Sequence, residues 1–247
     1  MRCPDHYRNL HFPLNAYAVA LWLSEARVDS LHYGFDPEHG GIFAAQARAT
    51  EFLLQRLAPP PARVLEVGIG LGQTAERLRT RGYDYTGVTP DAQQIAFCAS
   101  RSPGLRLLES KFEDLSLPNE CFDAVIFQES SQYMSTRTLL RQASALLTLG
   151  GQLVIMDEVE SEQIYALLQL AREQGFKLVQ QQDVTPRAAP SLDYLFMLIS
   201  SFREQLLAEL GTSKRAMDTL LFELEKRRAA YRAGTYAYQF FSLERSS

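Results

Sequence analysis

Arg63-Val64-Leu65-Glu66-Val67-Gly68-Ile69-Gly70-Leu71-Gly72 is an apolar run with one embedded acid that breaks into glycine at every second position. A helical pattern, Gln73 to Arg81, follows at once. Strand, tight glycine turn and helix form the first unit of a nucleotide-binding α/β sheet. Glycine lets backbone approach a ligand with no Cβ in the way. Free N–H groups at the helix start favour electron-rich ligand groups. The spacing separates two ligand classes. A dinucleotide loop reads G-x-G-x-x-G, its third glycine serving helix–strand packing over a pyrophosphate. Here Gly68, Gly70 and Gly72 read G-x-G-x-G, with Glu66 two residues before the first.

Strands and helices alternate downstream. Residues 83–89 read as a second strand, and 91–101 as a helix with Asp91 at its N-cap. Leu105 to Phe112 reads as a third strand. Phe122 to Gln128, nearly all apolar, reads as a fourth, buried on both faces. Thr136 to Leu147 reads as a helix ending before Gly150-Gly151. Gln152 to Met156 follows as a strand, Glu162 to Gln174 as a helix closed by Gly175, and Phe176 to Val184 as a sixth strand. Tyr236 to Leu243 is a last strand-like run. This alternation predicts a doubly wound, mostly parallel sheet. Residues 1–58 read as a helical cap segment and 59–247 as the core. A helical insertion at about 190–233 precedes the last strand, as one or two amphipathic helices broken near Gly211-Thr212-Ser213. Leaving the carboxyl end of the sheet, it would sit over the pocket as a lid; a dimer or packing role is the equal alternative.

Bulk properties narrow the classes. The chain has 247 residues, a 46% apolar fraction and a net charge of −4, consistent with a real core. No Lys/Arg block of five or more occurs, so no nucleic-acid partner is expected. Cys3, Cys98 and Cys121 are scattered, with no C-x-x-C and no His/Cys pair at metal spacing. No metal is expected, and a reduced, cytoplasmic setting is the simple inference. The N-terminal residues lack a signal-peptide core, and Ala16 to Leu23 is too short to span a bilayer.

The glycine stretch resembles motif I, [DE]-x-G-x-G-x-G, of class I S-adenosylmethionine-dependent methyltransferases. Three further segments share the likeness. Gly87-Val88-Thr89-Pro90-Asp91-Ala92-Gln93-Gln94 resembles the G-V-T-x-S-x-x-Q variant of cyclopropane fatty-acid synthase-like enzymes, with Asp91 in place of the serine. Gln128-Glu129-Ser130-Ser131-Gln132-Tyr133-Met134 is similar to the E-S-x-E-H-M pattern of sterol, tocopherol and related small-molecule methyltransferases. Leu31-His32-Tyr33-Gly34-Phe35 resembles the H-x-G motif of the same subgroup. The N-P-P-Y and D-P-P-Y signatures of nucleic-acid base methylation are absent. Together these matches span about residues 31–158.

The resemblance implies a Rossmann-like seven-stranded sheet and S-adenosylmethionine as cofactor, leaving as S-adenosylhomocysteine. It implies a cofactor site of Glu66, Gly68, Gly70, Gly72, Thr89, Gln94, Phe112, Glu113 and Gln128. Thr89 and Gln94 would share the ribose, where many relatives place an acid. The segment before Phe122-Asp123 departs from the family. The adenine-contacting acid falls on Lys111; Glu113 or Asp114 could take its place with a small loop shift, or backbone at Phe112 and Glu113 makes the contact, with Phe112 in the core or stacked on adenine. Glu129 and His32 are the catalytic candidates, with Tyr33, Tyr133, Asp157 and Glu158 near the expected pocket mouth. An oxygen or carbon acceptor must lose a proton, which a neutral histidine or a carboxylate can take. The implied partner is a small-molecule acceptor in biosynthesis, with O- or N-methylation ahead of C-methylation and a homodimer left open. The alternatives are a methyltransferase fold that catalyses a cyclisation with the cofactor structural, and an NAD-dependent oxidoreductase. The latter is disfavoured by the glycine spacing and by Thr89.

Overall fold

A computed structural model describes residues 2–246. Its centre is a seven-stranded sheet in the order β3-β2-β1-β4-β5-β7-β6. The strands are β1 (Arg63–Val67), β2 (Asp84–Thr89), β3 (Arg106–Glu109), β4 (Phe122–Gln128), β5 (Leu147–Glu160), β6 (Phe176–Asp183) and β7 (Tyr236–Arg245). β1 to β5 pair in parallel, and β7 runs antiparallel between β5 and β6. This is the expected doubly wound, mostly parallel Rossmann-like sheet. Helices α4 (Gln73–Thr80), α5 (Ala92–Arg101), α6 (Thr136–Leu146) and α7 (Ile164–Glu173) make the crossovers.

The helices outside this alternation are α1 (Asp5–Arg8), α2 (Leu14–Glu25) and α3 (Gly41–Leu54) before β1. Helices α8 (Thr185–Ser201), α9 (Arg203–Leu210) and α10 (Lys214–Ala233) lie between β6 and β7. The chain divides into two compact units. One holds residues 1–49 and 186–234; the other holds 50–185 and 235–247. Helices α3 and α8 each begin in one unit and end in the other.

Burial explains the central strands. Val64, Leu65, Val125, Ile126 and Phe127 are fully buried, as a parallel strand covered on both faces requires. Leu65, Phe127, Leu140, Leu153 and Phe241 belong to one core cluster. Each such side chain contributes roughly 1.5–3 kcal/mol through the apolar surface it removes from water. Phe112 packs edge-on against Phe127, ring centroids 5.2 Å apart, and is 2% exposed.

Several expected boundaries are corrected. The third strand stops at Glu109, and Phe112–Asp114 forms a 3-10 turn closed by Asp114 N–H to Lys111 O at 3.2 Å. The fifth strand is 14 residues long, from Leu147 to Glu160. Its extension comes from partners remote in sequence, since residues 152–160 pair in unbroken register with β7. The insertion holds three helices and starts at Thr185. Pro186 sits in the first turn, where its missing N–H is not needed, and Pro190 is carried inside the helix. The break at 211–213 lies where expected, with Gly211 in the left-handed region and Ser213 capping α10 through Ala216 N–H.

In the unit of residues 1–49 and 186–234, the segment after α2 is fastened to α8. The Ser191 hydroxyl donates to Gly34 O at 2.8 Å and accepts from Gly34 N–H at 3.0 Å. A Cβ on Gly34 would lie 2.4 Å from that of Ala45, so no other residue fits. Arg187 pairs with Asp36 at 2.8 Å.

Candidate functional site

In an open α/β sheet, ligands bind outside the carboxyl ends of the strands, where the strand order reverses. Here that point lies between β1 and β4. Four segments leave the sheet near it: Gly68–Gly72 after β1, Thr89–Gln94 after β2, the turn at Phe112, and Gln128–Ser131 at the end of β4.

The three glycines have different reasons to be glycine. All have positive φ, 80° at Gly68, 50° at Gly70 and 77° at Gly72. A Cβ on Gly68 would sit 2.6 Å from Ser130 Cβ, and one on Gly72 would sit 2.8 Å from Cys98 Sγ. At Gly70 a Cβ would meet nothing within 4 Å. The outer glycines therefore press the loop onto the turn after β4 and onto α5, while the middle one faces open space. The Gly70 backbone is therefore open to a ligand, and bare backbone there fits a group such as the S-adenosylmethionine that the resemblance implies.

A buried polar network underlies the loop. The Tyr85 hydroxyl donates to Glu66 Oε2 at 2.6 Å. Thr74 also bonds Glu66, and burial pushes the Glu66 carboxyl up to about 8. Burial thus favours the neutral acid at Glu66. Gln128 lies 3.3 Å from Thr74 Oγ1 through Oε1 and donates from Nε2 to Thr50 Oγ1 at 3.3 Å. Both ends of its amide are engaged by protein. The network joins β2, β1, α4, β4 and α3.

At the end of β2, Thr89 Oγ1 lies 3.2 Å from Gln94 Oε1 and accepts from Asp91 N–H at 3.2 Å. Asp91 Oδ1 accepts from Gln93 N–H at 2.8 Å and Gln94 N–H at 3.3 Å, capping α5. Thr89 and Gln94 are thus brought together, and Asp91 is the helix cap. Phe112 is a core residue; Glu113 lies half-buried in the same 3-10 turn.

After β4 the chain turns sharply. Glu129 has φ of 56°, outside the usual range for a residue with a side chain. Its N–H donates to Met156 O at 3.0 Å, and its Oε1 accepts from the Tyr238 hydroxyl at 2.6 Å. The Ser130 hydroxyl donates to Val67 O at 2.5 Å. Ser131 donates to Asp157 Oδ2 from its backbone N–H at 2.8 Å and from its hydroxyl at 2.7 Å. Asp157 Oδ1 accepts from Glu158 N–H at 2.8 Å. Burial pushes the Asp157 carboxyl up to about 6, against the lowering effect of these donors. Tyr133 is 71% exposed.

His32 lies in the other unit. Its Nδ1 is 2.8 Å from Tyr33 O. A carbonyl only accepts, so Nδ1 is the donor in this contact.

Sequence reading did not find Tyr85 or Tyr238. Tyr85 left a signal in Gly87, an isolated glycine inside a strand, which marks a close approach. A Cβ there would lie 2.4 Å from the Tyr85 hydroxyl. Tyr238 left none, because its partner is 109 residues away. Among the described residues no group of three metal-ligating side chains is assembled, and no helix is long and apolar enough to cross a membrane.

Residues 65–155 match the family model for a methyltransferase domain. A fatty-acid O-methyltransferase of Mycolicibacterium smegmatis is 32% identical over 149 residues, 55% of this chain and 54% of that protein. The chain thus spans about half the length of that curated relative. Among solved structures, the [4+2]-cyclase SpnF superposes with a TM-score of 0.78 at 20% identity, covering 94% of this chain and 93% of that one. The cyclopropane synthase MmaA2 of Mycobacterium tuberculosis gives 0.79 at 16% identity, covering 97% and 96%. Loop, sheet order and family model agree: residues 65–155 are similar to a methyltransferase domain, carried on a Rossmann-like sheet.

Proposed function

We propose that the protein transfers a methyl group from S-adenosylmethionine to an oxygen or nitrogen atom of a small-molecule acceptor in biosynthesis. The observation that carries this reading is the glycine loop, packed at Gly68 and Gly72 and open at Gly70. S-adenosylmethionine supplies an electrophilic methyl group on a good leaving group. Gly70 backbone would hold the cofactor's methionine part. Thr89 and Gln94 would hold the ribose hydroxyls, and backbone at Phe112 and Glu113 would hold the adenine amine. Glu66 and Gln128 act from beneath, through Thr74 at the start of α4. Holding the acceptor in line does much of the work of methyl transfer. Glu129 orients the acceptor and accepts its proton.

A calorimetric titration tests the reading. S-adenosylmethionine and S-adenosylhomocysteine should bind, and NAD should not. Tight NAD binding with no response to the other two overturns it. Turnover without consumption of S-adenosylmethionine would instead establish a methyltransferase fold that catalyses another reaction, such as a cyclisation.

A further inference from the structure

Tyr238 is a residue that no motif predicts and that no part of the proposed chemistry uses. It lies on β7, the antiparallel strand between β5 and β6, and is 0% exposed. Its backbone is held on both sides. Its N–H donates to Thr185 Oγ1 at 2.7 Å, and its carbonyl accepts from Val184 N–H at 2.9 Å. It stands opposite Glu158 in the β5–β7 register. Its hydroxyl donates to Glu129 Oε1 at 2.6 Å.

Glu129 itself sits in the left-handed region, which costs a residue with a Cβ about 1 kcal/mol. Such a conformation persists only where its surroundings over-determine it. The contacts that hold it include the N–H of Glu129 on Met156 O and the phenol of Tyr238 on its carboxylate. The first fixes where the backbone turns. The second fixes where the charge lies. A phenol donating to a carboxylate is a charge-assisted bond, short and directional. A rigid strand supplies the donor, so the carboxylate is oriented by the sheet itself.

We propose that Tyr238 is the positioning residue for Glu129: it holds that carboxylate toward the transferring methyl group. This rests on the role given to Glu129 above, and the test separates the two. Sinefungin carries a protonated amine where S-adenosylmethionine carries its methyl sulfonium, so it reads the carboxylate's position with no acceptor present. The measurement is the ratio of the S-adenosylhomocysteine Kd to the sinefungin Kd, by calorimetry, on the full chain. In the unaltered protein sinefungin should bind more tightly. Glu129→Gln should lower the ratio about tenfold and Tyr238→Phe about threefold, with the S-adenosylhomocysteine Kd nearly unchanged in both. The double variant should be no lower than Glu129→Gln alone, because Tyr238 acts only through Glu129. A merely structural tyrosine would weaken both ligands alike, or would add its effect to that of Glu129→Gln. Either result overturns the assignment. So does a normal ratio in Tyr238→Phe beside a lowered one in Glu129→Gln. An unchanged ratio in Glu129→Gln overturns the role of Glu129, and the assignment falls with it.

Discussion

The hydroxyl of Tyr85 and the carboxyl of Glu66 meet 2.6 Å apart on neighbouring parallel strands, in room left by the missing side chain of Gly87. Burial raises the Glu66 carboxyl to about 8, from an ordinary 4.5. Its folded-state value therefore lies above its unfolded one. The stability it contributes is fully present below about pH 4.5 and is lost as pH rises through 8. The full difference is on the order of 5 kcal/mol, at 1.36 kcal/mol per unit. Glu66→Gln should flatten the fall in melting temperature between pH 6 and 9. Parallel curves for the two proteins would refute the linkage.

The glycines should separate fold from binding. Gly68→Ala places a Cβ against Ser130 at positive φ and should cost about 2–3 kcal/mol in urea unfolding. Gly70→Ala meets no protein atom within 4 Å. It should cost only about 1 kcal/mol of stability while weakening S-adenosylhomocysteine at least tenfold, because the new methyl occupies the space open to the ligand. Normal affinity in Gly70→Ala would remove the loop from the site.

Asp157 offers no free oxygen for a proton-transfer role. Oδ2 accepts from Ser131 and Oδ1 from Glu158 N–H. Asp157→Asn must turn an NH2 toward an N–H donor, a mismatch costing about 1–3 kcal/mol. Ser131→Ala keeps the backbone bond and should cost about 1 kcal/mol. Comparing urea midpoints at pH 7 checks the order; an Asn variant as stable as the parent would contradict the geometry.

Thr89 and Gln94 touch each other, with oxygens 3.2 Å apart. If they share one ligand group, each alanine substitution should weaken S-adenosylhomocysteine about tenfold, and the double variant by less than the product. Strict additivity in calorimetry would mean separate roles.

The sequence was legible where its signals are local. Phe122–Gln128 was read to the residue, because a parallel strand buried on both faces is a continuous apolar run. Asp91 was read as an N-cap because the signature lies within three residues of its partners. The long β5 was not read, since its second half is polar at Asp157, Glu158 and Glu160 and is held as strand by β7. Tyr238 is hidden for the same reason, whereas Tyr85 is marked only by Gly87. A hydrogen bond between strands depends on sheet order and register, and neither is written in any one segment. Phe112, read as a site residue, has its side chain in the core; what that turn can offer a ligand is its backbone.

Cys98 lies beneath Gly72, its thiol 3.7 Å from Gly70 O and pushed up to about 12 by burial. At neutral pH almost none of it is thiolate, the form that reacts. Cys98 is also 1% exposed, so alkylation has to wait for the glycine loop to lift from α5. In a chain whose Cys3 and Cys121 are replaced by serine, the labelling rate of Cys98 becomes a clock for that opening. A ligand held by the loop should slow the clock in proportion to its occupancy, so binding can be followed by the kinetics of a single native thiol.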